Sequence, residues 1–392
     1  MRSQKMRHSA DVIIENASIA TTSGTLTGSS LKIEAGIISE IKEGPIKAGG
    51  RRIDAEGRYV IPGFVDLHSD AIEKEIEPRP NTYFPKDVAI FELDKKLAAC
   101  GVTTIFHALS FAEGEVGVRS NGMATDIIKE VDRLAPKLGV KTRIHARFEI
   151  TDAGAVPYLE GLLNGGQIHL LSFMDHTPGQ GQYKDIASFK NYFGRVYKKS
   201  DEELDRIIDR KLTAKKHTRF HVQRVIDLCT SLGIPMASHD DDTPERIRWL
   251  REKRIGISEF PVNREALKTA KEMDIFTCLG APNVLRGNSQ VGNLSARDAL
   301  SEGYGDIICS DYSPMTILHA LFTIVNSGIL PLHQAVNKVS LNPASAVGIQ
   351  GRTGSIEEGK EADLAIVDVA DGVPRILRTY VSGREVFSAC GY

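Results

Sequence analysis

The sequence predicts an α/β fold: a (β/α)8 TIM-like barrel with a small β-sandwich domain built from both termini. Three observations support this prediction. Strand-like segments occur at both ends of the chain, strands and helices alternate between them, and the alternating part contains eight strand candidates. Alternation of this kind is typical of parallel strands joined by helical crossovers. Eight such strands favour a closed barrel over an open sheet.

The two ends of the chain contain short β-rich segments bounded by turn residues. These segments are 11–15, 31–34, 37–41, 362–368, 376–381 and 384–387. We expect residues 11–62 and 350–390 to form one composite β-sandwich domain. Residues 63–349 are then expected to form the barrel.

The barrel strands are predicted from short apolar runs between helical patterns. The eight candidates are 64–69, 102–108, 143–150, 168–174, 235–239, 256–259, 275–280 and 306–310. Helices are predicted between them, at 122–138, 220–232 and 263–273 among others. The charged stretch 198–216 predicts a solvated helical insertion, and a role for it as a lid stays open.

The composition is that of an ordinary soluble globular protein. The chain has 392 residues and a formal net charge of -2, which does not indicate a nucleic-acid binder. Its five cysteines include no CxxC pair, which predicts free thiols in a reducing cytoplasm. Residues 1–10 have no apolar signal core, and the apolar stretch 318–332 is too interrupted to span a bilayer. We expect a cytoplasmic protein without nucleic-acid or membrane partners, and the formation of a homo-oligomer stays open.

Polar side chains collect at the predicted carboxyl ends of the barrel strands, where the active sites of such barrels form. Six of them end or follow strands one, three, four, five and eight: His68, Asp70, Glu149, His176, His239 and Asp311. Imidazoles and carboxylates are ligands for divalent metals. We predict that these six residues bind one or two divalent ions, with zinc favoured over manganese or iron.

Each of these residues also has an ordinary structural interpretation. An aspartate such as Asp70 or Asp175 at a strand end is about as often a cap for the next helix. His107 and His145 are more typical of hydrogen-bonded interior histidines than of ligands. The metal prediction therefore depends on the set of six sharing one end of one barrel. Asp311 is also the predicted general base, since a carboxylate there can take a proton from a water whose pKa a metal has lowered to about 7.

Several motifs resemble the amidohydrolase superfamily, over nearly the whole chain. Segment 61–68 resembles the run into that superfamily's first metal-binding strand, and segments 342–346 and 354–364 resemble its return to the small β domain. The resemblance implies a metal-dependent hydrolase. Two departures concern the ligands. An aspartate replaces the second histidine of the usual His-x-His, and no lysine ends a middle strand, so a glutamate on strand three is expected instead of a carboxylated lysine.

A third departure is the position of two predicted ligands. His176 and His239 fall on strands four and five, where the superfamily usually uses strands five and six. Longer motifs resemble one subgroup, the ribose-triphosphate diphosphatases of phosphonate metabolism. These motifs are 66–80, 174–180, 238–244, 280–287, 292–296 and 310–312. The resemblance implies release of pyrophosphate from alpha-D-ribose 1-methylphosphonate 5-triphosphate.

Basic residues near the predicted strand ends suit a small phosphorylated substrate. The paired N–H donors of an arginine guanidinium group match the spacing of phosphate oxygens. The residues predicted to bind substrate are Arg79, Arg147, Lys184 and Arg286. Arg264 lies in a similar position, and Arg147 could instead hold the glutamate of strand three. Two other interpretations stay open. One is a hydrolase of C–N bonds, such as a deaminase or deacetylase of a small cyclic or N-acyl substrate, and the other is a non-catalytic scaffold.

Overall fold

The computed structural model describes most of the chain. The described residues are 11–113, 118–179, 181, 186–187, 190, 200–215, 218–289 and 294–389. Within them the chain forms two eight-stranded sheets and thirteen α-helices. One sheet takes strands from both ends of the chain, and the other consists of the strands between them.

The small sheet begins with five strands. They are β1 (Val12–Ala20), β2 (Thr25–Glu34), β3 (Ile37–Glu43), β4 (Arg51–Asp54) and β5 (Tyr59–Pro62). β1 pairs antiparallel with β2 on one side. On its other side it pairs in parallel with β4 through its first half and with β5 near its end. Because β1 has neighbours on both sides, its aliphatic residues are largely buried.

Eight consecutive parallel strands form the large sheet, and their order in space is their order in the sequence. They are β6 (Phe64–Ser69), β7 (Val102–Phe111), β8 (Lys141–Glu149), β9 (Leu170–Met174), β10 (Met236–His239), β11 (Ile257–Glu259), β12 (Phe276–Gly280) and β13 (Ile307–Cys309). Each of the eight predicted strands therefore has an observed counterpart. The differences are at the ends, since β7 continues to Phe111 and β13 is shorter than predicted.

The first and last strands of the large sheet meet just beyond their carboxyl ends. Ser69 and Asp311 form an isolated parallel bridge. The amide of Asp311 donates to the carbonyl of His68, and the amide of Asp70 donates to the carbonyl of Asp311, both at 2.9 Å. The sheet is therefore a nearly closed barrel, and the predicted fold class is confirmed.

Helices connect the barrel strands, and the last three lead from β13 back to the small sheet. They are α1 (Ala71–Ile76), α2 (Lys86–Ala99), α3 (Asn121–Leu134), α4 (Val156–Asn164), α5 (Asp201–Lys215), α6 (Thr218–Leu232), α7 (Pro244–Glu252), α8 (Arg264–Glu272), α9 (Ala281–Arg286), α10 (Ala296–Ser301), α11 (Thr316–Asn326), α12 (Leu332–Val339) and α13 (Leu341–Ala346). Several begin at residues of the types that favour the N-cap position. Ser120, Thr243 and Asn263 each accept a hydrogen bond from the amide three residues later.

The charged insertion is helical where it is described, as α5, but it is not simply solvated. Leu204, Ile208 and Lys211 lie on one buried face of this helix. Their spacing of four and three residues is that of an amphipathic helix packed against the protein. The expectation of a solvated helix is therefore wrong for this face.

The chain returns to the small sheet through β14 (Leu364–Ala370), β15 (Val373–Val381) and β16 (Arg384–Ser388). β14 pairs antiparallel with β5, so both ends of the chain share one sheet. A single hydrophobic cluster contains residues from the two parts, including Ile14, Val60, Ile366 and Tyr380. The domain boundaries given above stay a prediction.

Two further predictions concern the chain as a whole. Cys100, Cys229, Cys278 and Cys309 are free thiols, while Cys390 lies outside the described residues. Among the residues that the structure describes, we find no helix with the length and apolar character needed to cross a membrane.

Candidate active site

Four of the six predicted metal ligands form a continuous cluster at the carboxyl end of the barrel. Nδ1 of His176 lies 3.2 Å from Oε2 of Glu149. The ring centroids of His176 and His239 are 6.1 Å apart, and those of His239 and His68 are 5.6 Å apart. The four side chains come from strand one and from the ends of strands three, four and five. Parallel strands of a barrel bring such positions together because their carboxyl ends share one rim.

The other two predicted ligands, Asp70 and Asp311, are neighbours because the barrel closes between β6 and β13. Asp311 has a φ of 56°, a left-handed conformation uncommon for a residue other than glycine. Burial, followed by the charge of Asp70, raises the pKa of Asp311 to about 7, although Arg147 acts in the opposite direction. A carboxyl group with a pKa near neutrality can both accept and return a proton.

Glu149 is held as an ionised carboxylate. Its Oε1 accepts a hydrogen bond of 2.6 Å from the hydroxyl of Thr151, and its Oε2 lies 3.3 Å from Nζ of Lys211. Burial by itself raises the pKa of Glu149, but Lys211 and His176 outweigh it, so that the pKa falls well below its usual range. A carboxylate must be deprotonated to bind a metal, and Glu149 meets that requirement.

His68 is oriented by Glu259, a residue that the sequence analysis did not select. Nδ1 of His68 lies 2.9 Å from Oε1 of Glu259, and both side chains are only 1% exposed. Because a carboxylate only accepts, Nδ1 carries the proton and Nε2 is the nitrogen available as a ligand. Glu259 is the last residue of the predicted strand 256–259, so the rule used for the other strand ends could have found it.

His145 is an interior histidine with partners on both nitrogens. Its Nδ1 donates to the carbonyl of Leu67 at 3.0 Å, and its Nε2 accepts from the hydroxyl of Ser172 at 2.8 Å. Burial lowers the pKa of His145 to about 3, so the ring is neutral. The ligand atoms of His68, His145 and Glu259 lie within 4.8 Å of one another. Since His145 is already satisfied, His145 and Glu259 are better described as a hydrogen-bonded support beneath the site, with Nε2 of His68 still available as a ligand.

A second group has the donor set and the unpaired atoms that a cation requires. The ligand atoms of His176, His239 and Asp240 lie within 4.8 Å of one another. Nδ1 of His239 and Oδ2 of Asp240 are 2.8 Å apart, but they are not aligned as a hydrogen bond. Both atoms, and Oδ1 of Asp70, are buried without a hydrogen-bond partner among the described residues. Buried unpaired atoms of this kind fit a divalent cation, which would satisfy them.

Of the four predicted substrate-binding residues, the structure brings Arg147 to the ligand cluster. Arg147 lies on β8, and its Nη2 is 3.3 Å from Nε2 of His239. Arg79 and Arg286 are exposed. The described contacts link neither of them to the cluster, and their role stays a prediction. Lys184 lies outside the described residues. Arg264, the further basic residue, pairs at the surface with Glu302 at 2.6 Å.

Two cationic residues near the cluster were missed by the sequence analysis. Lys211 reaches Glu149 from the inserted helix α5. Arg119 bridges two acidic side chains, with its Nε 2.8 Å from Oε2 of Glu73 and its Nη2 3.3 Å from Oδ2 of Asp70. No strand-end rule could have selected either residue, because neither belongs to a barrel strand.

The chain also matches a known family. The model of the Amidohydrolase family matches residues 112–386, which is more than half of the chain. The chain therefore belongs to the amidohydrolase family. This agrees with the barrel and with the cluster of imidazoles and carboxylates at its carboxyl end.

Among curated relatives, the chain is similar to alpha-D-ribose 1-methylphosphonate 5-triphosphate diphosphatase of Escherichia coli. The two are 30% identical, and the alignment covers 96% of this chain and 100% of the relative. A dihydroorotase from a Thermoanaerobacter species is 25% identical, with 91% and 88% of the two chains covered. An adenine deaminase of Bacillus velezensis is 23% identical, and the alignment covers 97% of this chain and 58% of that protein.

Solved structures support the fold. N-acetylglucosamine-6-phosphate deacetylase from Pasteurella multocida has a TM-score of 0.63 at 14% identity, with 96% of this chain and 99% of that chain covered. A 5-methylcytosine deaminase from Klebsiella pneumoniae has a TM-score of 0.65 at 16% identity, with 97% and 99% covered. Both likenesses concern the architecture alone.

Proposed function

We propose that this protein is a metal-dependent diphosphatase that releases pyrophosphate from a ribose 5-triphosphate, with alpha-D-ribose 1-methylphosphonate 5-triphosphate as the expected substrate. The observation that carries the proposal is a pair of largely buried cations, Arg147 and Lys211, beside the candidate metal ligands. A triphosphate brings several negative charges that such cations neutralise. The name of the Escherichia coli relative supports the same reaction.

The residues that would hold the metal are the four of the cluster together with Asp70 and Asp311. Glu149, His176 and His239 are proposed ligands on one side, and His68, Asp70 and Asp311 on the other, for one or two ions. Nitrogen and oxygen donors of this kind suit zinc, with manganese and iron as alternatives. A bound divalent ion lowers the pKa of water to about 7 and draws charge from the attacked phosphoryl group.

The chain's own residues supply proton transfer and charge neutralisation. Water attacks the phosphorus that carries the ribose oxygen, and the P–O bond to pyrophosphate breaks. Asp311 takes the proton of the attacking water and returns it to the departing pyrophosphate. A carboxylate placed beside the attacking water can serve in both steps. Arg147 donates to phosphoryl oxygens and so stabilises the charge that develops there.

A second candidate is hydrolysis of a C–N bond, because several relatives are dihydroorotases and adenine deaminases. Such a reaction would use the same metal ligands on a small cyclic substrate. The buried cations favour the diphosphatase, since a chain of phosphates carries several negative charges, whereas such a ring carries one or none.

One panel assay tests the proposal directly. The metal-loaded protein is incubated with ribose and nucleoside triphosphates, cyclic amides, adenine and N-acyl sugars. Release of pyrophosphate, ammonia and carboxylic acid and opening of the amide ring are all followed. We expect pyrophosphate release from the ribose triphosphate. Turnover of a cyclic amide, an amine or an N-acyl sugar, without pyrophosphate release from any triphosphate, would overturn the proposal.

A cytoplasmic location and the oligomeric state stay predictions.

A further inference from the structure

We infer that Lys211, on the inserted helix α5, binds the phosphate chain of the substrate and so gives the site its preference for phosphorylated over uncharged molecules. This inference rests on the proposed function and specifies which residue recognises the substrate. It assigns a role to α5, an inserted helix that lies outside the strand ends from which the predicted metal ligands come.

The geometry of Lys211 differs from that of a surface lysine. Its side chain is only 9% exposed, and its Nζ lies 3.3 Å from Oε2 of Glu149. One helical turn later, Nζ of Lys215 lies 3.3 Å from Oδ2 of Asp175, which follows β9. Residues four apart share a helix face. Two ammonium groups of α5 therefore reach carboxylates at the ends of strands three and four.

The packing of α5 explains why this face points inward. Leu204 and Ile208 are buried on the same face, at 1% and 4% exposure. They fix the rotation of the helix about its axis, and Lys211 follows Ile208 at the next position of the buried stripe. Ordering and burying a lysine side chain has a free-energy cost. That cost favours a functional interpretation over a chance surface contact.

The charges around Lys211 indicate what it binds. Glu149 is a proposed metal ligand, so a divalent cation and Lys211 would share one carboxylate. A divalent ion and an ammonium group carry three positive charges, of which Glu149 offsets one, so a further anion beside both cations lowers their mutual repulsion. Charged phosphoryl oxygens can contact both at once, whereas the neutral carbonyl of a cyclic amide carries too little charge. Arg147, near His239, supplies a second cation for the same chain of phosphates.

The test removes the ammonium group and measures binding of inorganic pyrophosphate. Lys211→Met is compared with Arg210→Met, which removes a positive charge from the adjacent, exposed position of the same helix. Pyrophosphate is titrated into the metal-loaded proteins by calorimetry, and metal content is measured before and after. We expect Lys211→Met to weaken pyrophosphate binding on the order of 10- to 100-fold, the loss typical of one hydrogen bond to a charged group. Arg210→Met should stay within about twofold of the wild type, by the usual size of surface effects.

Three results would overturn the inference. The first is pyrophosphate binding by Lys211→Met equal to that of Arg210→Met. The second is loss of metal in Lys211→Met, which would make Lys211 a support for Glu149. The third is a wild-type protein that does not bind pyrophosphate, while the panel assay decides the proposed function separately. If the wild type releases pyrophosphate in the panel assay but the two variants behave alike, only the role of Lys211 fails. Lys211→Arg keeps the charge and should recover part of the binding, which separates the effect from a folding defect.

Discussion

Glu259→Gln should weaken binding of the divalent metal without unfolding the barrel. In the wild type, the Glu259 carboxylate accepts the Nδ1 proton of His68 at 2.9 Å. Glutamine has nearly the same volume, but its amide carries no charge and can present its NH2 group to the ring. His68 would then be free to move its proton to Nε2, the nitrogen that the metal needs.

The expected size of this effect follows from the burial of the pair. Both side chains are 1% exposed, so water cannot replace the lost interaction. A hydrogen bond to a charged group contributes about 1.5–3 kcal/mol, and loss of a residue that orients a metal ligand typically costs 10- to 100-fold in metal affinity. The two figures agree, because tenfold corresponds to about 1.4 kcal/mol.

The assay is a competition between the protein and a chelator of known affinity, over a series of buffered free metal concentrations. The matched control is Glu302→Gln, which makes the same chemical change in the exposed ion pair with Arg264. Thermal unfolding in the presence of excess chelator reports the stability of the metal-free fold. If Glu259→Gln binds metal within about twofold of the control, a difference within normal scatter for a surface change, Glu259 does not orient His68. Should the variant fail to fold, Glu259→Asp, which keeps the charge on a shorter side chain, gives the second measurement.

Three further predictions concern catalysis, substrate binding and stability. Asp311→Asn should lose on the order of 10²–10⁴-fold in kcat, since amides are poor bases, with KM little changed and the metal retained by the other five proposed ligands; near-normal turnover would show that Asp311 is not the base. Arg147→Met should raise KM for the triphosphate at unchanged metal content, whereas loss of metal in that variant would identify Arg147 as a support for the ligands. Burial lowers the pKa of His107 from 6.5 to about 4. The unfolded chain therefore binds the additional proton between these values, so stability that is fully present above pH 6.5 decreases as the pH falls from 6.5 to about 4 and levels off below that. His107→Gln should reduce this acid-induced loss by about 3 kcal/mol in total, as measured by denaturant unfolding at several pH values; an unchanged pH dependence would contradict the assignment.

Sequence and structure agree best where the pattern is local and repeated. The eight barrel strands were predictable because each is a short apolar run between helical segments. The clustering of His68, Glu149, His176 and His239 followed from one rule, that parallel strands end on the same rim. Strand boundaries were less predictable. The last hydrogen bonds of a strand depend on its neighbours, as in the bridge between Ser69 and residue 311.

By itself, the sequence determined the class of fold, the strand order and most of the candidate metal ligands, because apolar periodicity and strand-end positions are encoded within a few neighbouring residues. Only the tertiary structure decided which charged side chains accompany them. The stretch containing Lys211 is as polar as a solvated helix, and its buried face appears only when Leu204 and Ile208 pack. Arg79 and Arg286 follow strand ends in the sequence, yet both are exposed. The direction of a side chain beyond a strand depends on long-range packing, which no short segment of sequence specifies.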